Sequence, residues 1–257
     1  MRAFLKALSS RSNKNKLDDY NKTILHAKII QENKFLKETY IDFYNKLKRG
    51  IHSNTENKRI IELGSGGGFI KKIIPNAITS DIIKIPENDL NFSALAMPFK
   101  NEEVDAFVMI DVMHHSGNAK LFFKEIARCL KKGGTAVMVE PANTFWGRFI
   151  WKNFHHEDFN PKGKWEFKQE SPLKSANGAL PWIIFRRDKS KFLKLFPNLK
   201  IVEIRAHTPF RYIISGGLSF PQLLPSFTYP LIVFLEKLLS PLNNFIGMFY
   251  TIKILKE

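Results

Sequence analysis

The sequence predicts a doubly wound α/β fold, in which parallel strands alternate with helices. Three observations support this prediction. A short apolar run at 60–63 leads into a glycine-rich turn at 64–68. Two longer apolar runs, 104–110 and 135–139, are each followed by an acidic residue, and an amphipathic segment at 118–130 separates them. Runs of this length between helical segments are typical of strands buried on both faces of a parallel sheet.

The glycine-rich turn is the strongest local signal for a ligand site. It follows Glu62 and reads Gly64-Ser65-Gly66-Gly67-Gly68. Glycine lets the backbone approach a ligand closely and adopts positive φ angles without strain. A dinucleotide fingerprint would need glycine at position 69, where the chain has Phe69, so the pattern is Glu-x-Gly-x-Gly-x-Gly. A flexible turn without a ligand is the alternative interpretation.

A second acid lies at a matching distance along the chain. Residues 77–81 predict a short strand that ends at Asp81, 17 residues after Gly64. An acid about 20 residues beyond such a turn lies at the tip of the neighbouring strand, where its carboxylate can bind ribose hydroxyls. A turn residue or a helix cap is the alternative. Together, the glycines and Asp81 favour a nucleoside-containing cofactor.

The segment up to Pro141 adds further motifs. They are Pro98-Phe99, Val104-Asp105-Ala106-Phe107, Asp111-Val112-Met113-His114-His115, Lys132-Gly133-Gly134 and Glu140-Pro141. With the glycine turn and Asp81, they resemble the motifs of the class I S-adenosylmethionine-dependent methyltransferases. The similarity is to the small-molecule group that includes the quinone-pathway enzymes, and it covers about residues 55–141.

The resemblance implies a fold, a cofactor and a set of binding residues. The fold is a Rossmann-like sheet of seven strands, mostly parallel with an antiparallel last strand, plus helical and aromatic cap insertions. The cofactor is S-adenosylmethionine, and the residues that match the family's cofactor motifs are Glu62, Gly64, Ser65, Gly66, Gly68, Asp81, Ala94, Leu95 and Asp111. An acid that contacts adenine in this group is replaced by Ser93, so adenine is expected to meet backbone groups and apolar neighbours such as Leu95 and Met97.

Four segments are predicted along the chain. Residues 1–57 form a helical arm and a linker, and residues 58–141 form the cofactor-binding core. Residues 142–198 form an insertion that holds all four tryptophans, which fits an acceptor-binding cap or a small satellite core. Residues 199–257 hold the last two strands of the sheet and a hydrophobic insertion at 207–245.

The hydrophobic insertion leaves two interpretations open. From Tyr212 to Leu235 it has 24 residues without a charge. Its prolines and the Gly216-Gly217 pair argue against a transmembrane helix, which needs about 20 apolar residues in a continuous helix. A lid over an apolar pocket and a membrane-facing cap for a lipid-linked acceptor both fit. Residues 230–239 are predicted to form a short amphipathic helix.

The net charge of +16 is unevenly distributed. Residues 1–60 contain 14 basic residues (Lys and Arg) and 6 acidic residues (Asp and Glu). Residues 61–141 contain 9 basic and 10 acidic residues, and residues 142–257 contain 17 basic and 8 acidic residues. The basic excess flanks the core, which favours an anionic acceptor or peripheral contact with an anionic membrane, unless it reflects compositional drift. The single Cys129 and the lack of a clear secretory signal favour the cytoplasm, with membrane association as an option.

The expected reaction is methyl transfer to an acceptor, preferably at oxygen. His115 is the first candidate for a general base, followed by His114 and then by His155, His156 and Glu157 in the cap insertion. Each histidine has the alternative of packing or capping a helix. Asp111 is expected to shape the cofactor pocket rather than to take a proton. Contiguous ligands at 155–158 are weak support for a metal, and no metal site is predicted.

Three classes of function fit this sequence, and a small-molecule, sugar or lipid-linked O-methyltransferase is favoured. A nucleic-acid methyltransferase, acting on RNA for example, fits the charge. However, residues 111–114 lack the Asn/Asp-Pro-Pro-aromatic pattern of base methylation, and the basic residues are scattered. The third class is a non-catalytic relative that binds the cofactor or a partner. The intact glycines and Asp81 argue against it.

Overall fold

The computed structural model describes residues 19–51, 55–155, 157–171, 173 and 175–257. The start of the predicted arm, part of its linker and the candidate base His156 lie outside these residues. The strands are β1 (Ile60–Glu62), β2 (Ile78–Asp81), β3 (Leu90–Asn91), β4 (Val104–Ile110), β5 (Leu130–Pro141), β6 (Leu199–His207) and β7 (Phe249–Lys256).

The seven strands form one sheet in the order β3-β2-β1-β4-β5-β7-β6. Strands β1 to β5 pair in parallel, whereas β7 lies antiparallel between β5 and β6. The predicted Rossmann-like fold with an antiparallel last strand is therefore confirmed. The strand order reverses between β1 and β4, and ligands bind at such a reversal, outside the carboxyl ends of the strands.

The central strands carry the core. All residues of β4 except Asp105 and Ile110 are buried, as expected for a strand covered on both faces. Strand β5 is longer than the predicted 135–139, because it begins at Leu130 directly after a helix and continues to Pro141. Its last residues pair with the start of β7, which holds the carboxyl end of β5 in place beside β4.

The predicted helical arm consists of two helices, α1 (Asp19–Glu32) and α2 (Lys34–Gly50). They are separated at Asn33, whose side chain accepts a hydrogen bond from the N–H of Leu36 and caps α2. Helix α2 buries one apolar face, including Phe35, Phe43 and Leu47. Helix α3 (Ala119–Cys129) follows β4 and is capped in the same way by Asn118.

Residues 69–74 follow the glycine turn, where a doubly wound fold normally has a helix, but they form no α-helix. The structure has a single 3₁₀ turn, Ile70–Lys72, instead. Phe69 has a non-helical backbone (φ −142°, ψ 35°), and Pro75 disfavours the helical conformation of the residue before it. Too few residues remain between these two limits for a longer helix.

The remaining helices lie in the two insertions. They are α4 (Phe145–Phe154), α5 (Lys189–Leu195) and α6 (Tyr229–Leu238), accompanied by short turns such as Arg211–Ile214 and Asn243–Ile246. Helix α6 confirms the short helix predicted at 230–239. Within the described ranges, no helix combines the length and apolar character needed to cross a bilayer.

Candidate active site

A cavity of about 220 Å³ opens at the carboxyl ends of β1, β2 and β4. The glycine turn, the end of β2 and the loop after β4 form its floor. Helices α1 and α2 and residues of the cap insertion surround it. Its lining includes the predicted residues Glu62, Gly64, Ser65, Gly66, Gly68, Asp81, Asp111, His114, His115 and His155.

The glycine turn needs glycine for two different reasons. Gly66 has a φ of +49°, and the nearest atom to an added Cβ, on Thr23, would be 3.6 Å away, so a ligand has room there. At Gly68 an added Cβ would lie 2.3 Å from the hydroxyl of Tyr44. Glycine is thus required at Gly66 by the positive φ angle and at Gly68 by the close packing against Tyr44 of α2.

Asp81 ties the glycine turn to the end of β2. Its two carboxylate oxygens accept hydrogen bonds from the N–H groups of Gly66 and Ile83, both at 2.8 Å. Burial raises the pKa of Asp81, and these backbone hydrogen bonds oppose the rise. Each oxygen keeps a second lone pair for a ligand hydroxyl.

Glu62, at the end of β1, is an unusual buried carboxylate. It is 2% exposed, and its Oε2 atom has no hydrogen-bond partner among the described residues. Burial raises the pKa of Glu62 to about 7, against the opposing effect of Ser65 and Tyr44. A buried acceptor without a partner is costly, so this oxygen is suited to a cationic ligand group.

Asp111 is a second carboxylate with a buried oxygen that has no hydrogen-bond partner among the described residues. It directly follows β4 with a φ of +55°, a strained backbone conformation for a residue with a side chain. Its Oδ1 atom lacks a described hydrogen-bond partner. Burial, together with the nearby charges of Glu140 and Glu157, raises the pKa of Asp111 to about 8, although His114 opposes the rise.

Ala94 and Leu95 do not join these residues. Both pack against the hydrophobic core and are absent from the described lining of the cavity. Ile82, Ile83 and Val112 line it instead. The expectation that Ala94 and Leu95 form the cofactor pocket comes from the family's spacing and stays a prediction.

His114 is held between two carboxylates. Its Nδ1 lies 2.6 Å from Oε2 of Glu140, and its Nε2 lies 3.3 Å from Oε2 of Glu157. Both partners are acceptors, so both ring nitrogens must donate and the ring is an imidazolium. Burial by itself lowers the pKa of His114, but Glu140 and Glu157 outweigh burial and hold it well above the usual value.

Glu140 anchors this group to the sheet. It lies at the end of β5 and is completely buried. Its Oε1 accepts hydrogen bonds from the N–H groups of Val112 (3.0 Å) and Met113 (2.7 Å) in the loop after β4. In the sequence, Glu140 is recognisable only as part of a family motif, and no local pattern indicates this contact with His114.

Glu157 of the cap insertion faces three histidines. His114 Nε2 is 3.3 Å, His115 Nε2 is 3.4 Å and His155 Nδ1 is 3.7 Å from its carboxylate oxygens. Burial raises the pKa of Glu157, but the hydrogen bonds of His114 and His115 prevail and place it well below the usual value. In addition, the backbone N–H of Glu157 donates to Nδ1 of His155 at 3.3 Å.

The same side chains are also placed to hold a metal ion. The ligand atoms of His114, His115 and Glu157 lie within 4.8 Å of one another, as do those of Asp111, His114 and Glu140. His114, however, appears in both groups, and its two nitrogens already carry protons toward the carboxylates. A metal would have to displace one of these protons.

A second, apolar cavity adjoins the first. It is lined mainly by Ile150, Trp151, Phe154, Tyr212, Leu218, Phe220 and Met248. Trp151, His155, Tyr212 and Leu218 line both cavities. We call His114, His115 and His155, which surround Glu157, the histidine cluster; His155 is its member at the junction of the two cavities. Tyr212 packs against Trp151, with ring centroids 6.0 Å apart, and the Trp151 indole donates to the backbone carbonyl of Met248.

Residues 71–138, which lie between the glycine turn and the end of β5, match a family profile described as a methyltransferase domain. The chain therefore contains a methyltransferase domain, as its resemblance to the class I S-adenosylmethionine-dependent methyltransferases predicted. Its similarity to the quinone-pathway enzymes in particular stays a prediction. A comparison with curated proteins found no match for this methyltransferase.

Solved structures show the same fold. A methyltransferase from Archaeoglobus fulgidus described as SAM-dependent has a TM-score of 0.51 at 13% identity, with 83% of this chain and 93% of that chain covered. Geranyl diphosphate C-methyltransferase from Streptomyces coelicolor, solved with Mg²⁺, geranyl diphosphate and S-adenosylhomocysteine, has a TM-score of 0.50 at 12% identity. There, 90% of this chain and 84% of that chain are covered. At these identities the similarity describes the fold of the methyltransferase and not its acceptor.

Proposed function

We propose that this methyltransferase transfers a methyl group to an oxygen atom of a lipid-linked acceptor. The observation that carries the proposal is the position of His155 in the lining of both cavities, beside the same Glu157 carboxylate that contacts His115. The first cavity contains the glycine turn and the carboxylates of Glu62, Asp81 and Asp111, and we call it the polar cavity for these charged groups. The second is lined mainly by apolar side chains and includes residues 218–220. An acceptor with a polar head and an apolar chain fits both.

The polar cavity fits the cofactor through groups that lack protein partners. The free Oε2 of Glu62 suits the ammonium group of the cofactor's amino acid part, and Asp81 suits the ribose hydroxyls. We propose that Gly64, Ser65, Gly66 and Gly68 let the backbone approach the cofactor, and that Ile82, Ile83 and Val112 replace Ala94 and Leu95 around the adenine. When bound, the cofactor supplies a methyl group already activated on a sulfonium.

We propose His115 as the general base. His114 has both nitrogens occupied by carboxylates, and Nδ1 of His155 accepts the N–H of Glu157. In His115, a proton on Nε2 is stabilised by Glu157 at 3.4 Å, which leaves Nδ1 as the basic nitrogen. This Nδ1 has no hydrogen-bond partner among the described residues. A base oriented by a carboxylate is a common arrangement for activating a hydroxyl.

The apolar cavity supports a lipid-linked acceptor rather than a free polar one. Aromatic and aliphatic side chains line it, and a polar acceptor would gain nothing from them. The basic excess of the chain led us to expect an anionic acceptor or an anionic membrane. Because the carboxylates of the polar cavity would repel an anionic acceptor head, we propose that the membrane is the anionic partner. Peripheral contact with the cytoplasmic side of a membrane follows from this proposal.

The cofactor assignment is tested by calorimetric titration with S-adenosylmethionine, S-adenosylhomocysteine and, as a negative control, NAD. Asp81→Ala and Gly66→Val are expected to weaken binding of the first two by at least about tenfold, since each change removes or blocks a cofactor contact. Asp89→Ala is the matched control, because Asp89 bonds to Thr79 outside the cavity. Normal binding by both cavity variants would contradict the assignment.

The acceptor assignment is tested with radiolabelled S-adenosylmethionine. Wild-type protein and His115→Ala are each incubated with the lipid fraction and with the water-soluble fraction of a bacterial extract. We expect label in the lipid fraction with the wild type and a strong decrease with the variant. Label confined to water-soluble products would refute the lipid-linked acceptor while leaving methyltransferase activity intact.

A further inference from the structure

The insertion between β6 and β7 presents an unusually apolar outer surface. Among the described residues of 221–246, Lys237 is the one exposed charged side chain. Phe227 is 82% exposed, far more than a phenylalanine that packs in a core. We call this surface the apolar face, and it comprises Leu223, Phe227, Leu231, Phe234, Leu238, Leu242 and Phe245.

The orientation of α6 explains why these side chains point outward. Glu236, which is 6% exposed, is the one buried residue of this helix. Its Oε1 accepts hydrogen bonds from the N–H groups of Phe210 (2.9 Å) and Arg211 (2.8 Å), and its Oε2 accepts one from Nε of Arg211 at 2.5 Å. A helix of a soluble protein normally buries its apolar side, whereas α6 buries Glu236 and exposes Leu231, Phe234 and Leu238.

This inverted orientation is fixed by a network and not by a single contact. Arg211 also donates to Asp42 of α2 at 2.9 Å and to the hydroxyl of Tyr229 at 3.1 Å. Tyr229 packs edge-on against Phe35, with ring centroids 5.0 Å apart. The network links α6 to the N-terminal helices, so the outward direction of its apolar side chains is built into the fold.

We propose that the apolar face docks on an anionic membrane surface. Contiguous exposed apolar side chains of this extent mark an interaction site. On α4, exposed Phe145 and Phe149 alternate with exposed Arg148 and Lys152, and the Asn243–Ile246 turn packs against this helix. Aromatic side chains beside lysine and arginine are typical of helices that lie in a lipid interface.

The net charge of the protein favours a membrane over a second copy of the chain as the partner of the apolar face. The protein carries a net charge of +16, so two copies brought face to face repel each other, whereas anionic lipid attracts each copy. The position of the face agrees with this choice. Residues 218–220 line the apolar cavity, and the chain continues from them directly to Leu223. The choice of a membrane therefore deepens the proposed function and rests on it in this one respect.

Flotation of the purified 257-residue chain with lipid vesicles tests the proposal, with no acceptor or other protein present. Vesicles contain phosphatidylcholine with or without phosphatidylglycerol. The test variant is Phe227→Ser combined with Phe234→Ser. The matched control is Leu121→Ser combined with Val202→Ser, whose side chains are 44% and 50% exposed on α3 and β6. Thermal unfolding and S-adenosylhomocysteine binding verify that every variant is folded.

We expect wild-type protein and control to float with anionic vesicles, more weakly at high salt, and the test variant to partition at least about tenfold less. Equal flotation of the test variant and the wild type would overturn the proposal, and so would absence of flotation. A concentration-dependent dimer that only the test variant loses would assign the face to a second copy instead. None of these measurements needs the acceptor, so their failure is distinct from failure of the proposed function.

Discussion

Replacing Glu140 with glutamine is expected to destabilise the protein in a pH-dependent way. The Glu140 carboxylate accepts two backbone hydrogen bonds from the loop after β4 and one hydrogen bond from Nδ1 of His114. The glutamine oxygen can still accept the backbone hydrogen bonds. Its amide nitrogen, however, carries N–H groups that face the N–H of His114 Nδ1. Two donors cannot bond to each other, so the charge-assisted hydrogen bond to His114 is lost.

The expected loss of stability depends on the burial of the His114–Glu140 pair and on Glu157, which stays beside His114 in the variant. Breaking a buried ion pair costs about 3–5 kcal/mol, and a hydrogen bond to a charged group contributes about 1.5–3 kcal/mol. Glu157 stays 3.3 Å from Nε2 of His114, so the imidazolium keeps one carboxylate. We therefore expect the free energy of unfolding to fall by about 3 kcal/mol, at the low end of the range for a buried pair.

The loss depends on pH because the folded state raises the pKa of His114. A group of this kind contributes its full stability below its unfolded pKa of about 6.5 and loses it as the pH rises through the folded pKa. The difference between wild type and variant should therefore be complete at about pH 6 and become smaller toward alkaline pH.

Urea unfolding at about pH 6 and about pH 10 measures both parts of this prediction. Glu257→Gln is the control, because it removes an exposed ion pair with Lys200 and should cost less than about 1 kcal/mol. A loss of less than about 1 kcal/mol for Glu140→Gln at the lower pH would refute the assignment of His114 as a buried cation. A loss that grows with pH would refute it as well.

Three further predictions concern the cavity and the core. His115→Ala should lower kcat by about 10²–10⁴-fold without changing the affinity for S-adenosylhomocysteine, and an unchanged kcat in rate measurements would exclude His115 as the base. A chelator should leave the activity unchanged, because His114 and His115 are expected to donate hydrogen bonds to Glu157 rather than to bind a metal. A loss of activity that added zinc restores would instead identify these three residues as metal ligands. Cys129 should react with a thiol reagent at mildly alkaline pH only after unfolding, since it is buried and burial raises its pKa to about 11. Rapid reaction of the native protein would contradict the packing of α3.

Local patterns were sufficient to predict the doubly wound α/β fold class and the glycine turn, whereas the seven-stranded sheet was expected from the family resemblance. The apolar runs at 60–63 and 104–110 are continuous in sequence, and the spacing from Gly64 to Asp81 follows from one strand-turn-strand unit. The contacts of Glu140 and Glu157 with His114 join residues 26 and 43 positions apart. Such contacts depend on how β5 and the cap insertion pack, which no local pattern in a single sequence reveals.

Two other features show the same limit in different ways. Ala94 and Leu95 match the family's spacing, but spacing alone does not show which side chains line the cavity, and Ile82, Ile83 and Val112 are found there. The apolar pattern of 230–239 predicted a helix correctly. Its direction was not predictable, because the buried position of Glu236 depends on Arg211, a residue of another segment.

The place of β7 in the sheet has a consequence for synthesis. This strand follows all the others in sequence, but it lies inside the sheet, where it pairs with both β5 and β6. A nascent chain that has not yet released residues 249–256 from the ribosome therefore exposes the hydrogen-bonding edge of β5. That edge includes Val137, Met138 and Val139, an apolar segment prone to intermolecular pairing until β7 arrives. Because Glu140 belongs to the same edge, its position beside His114 is secured only after β7 has paired.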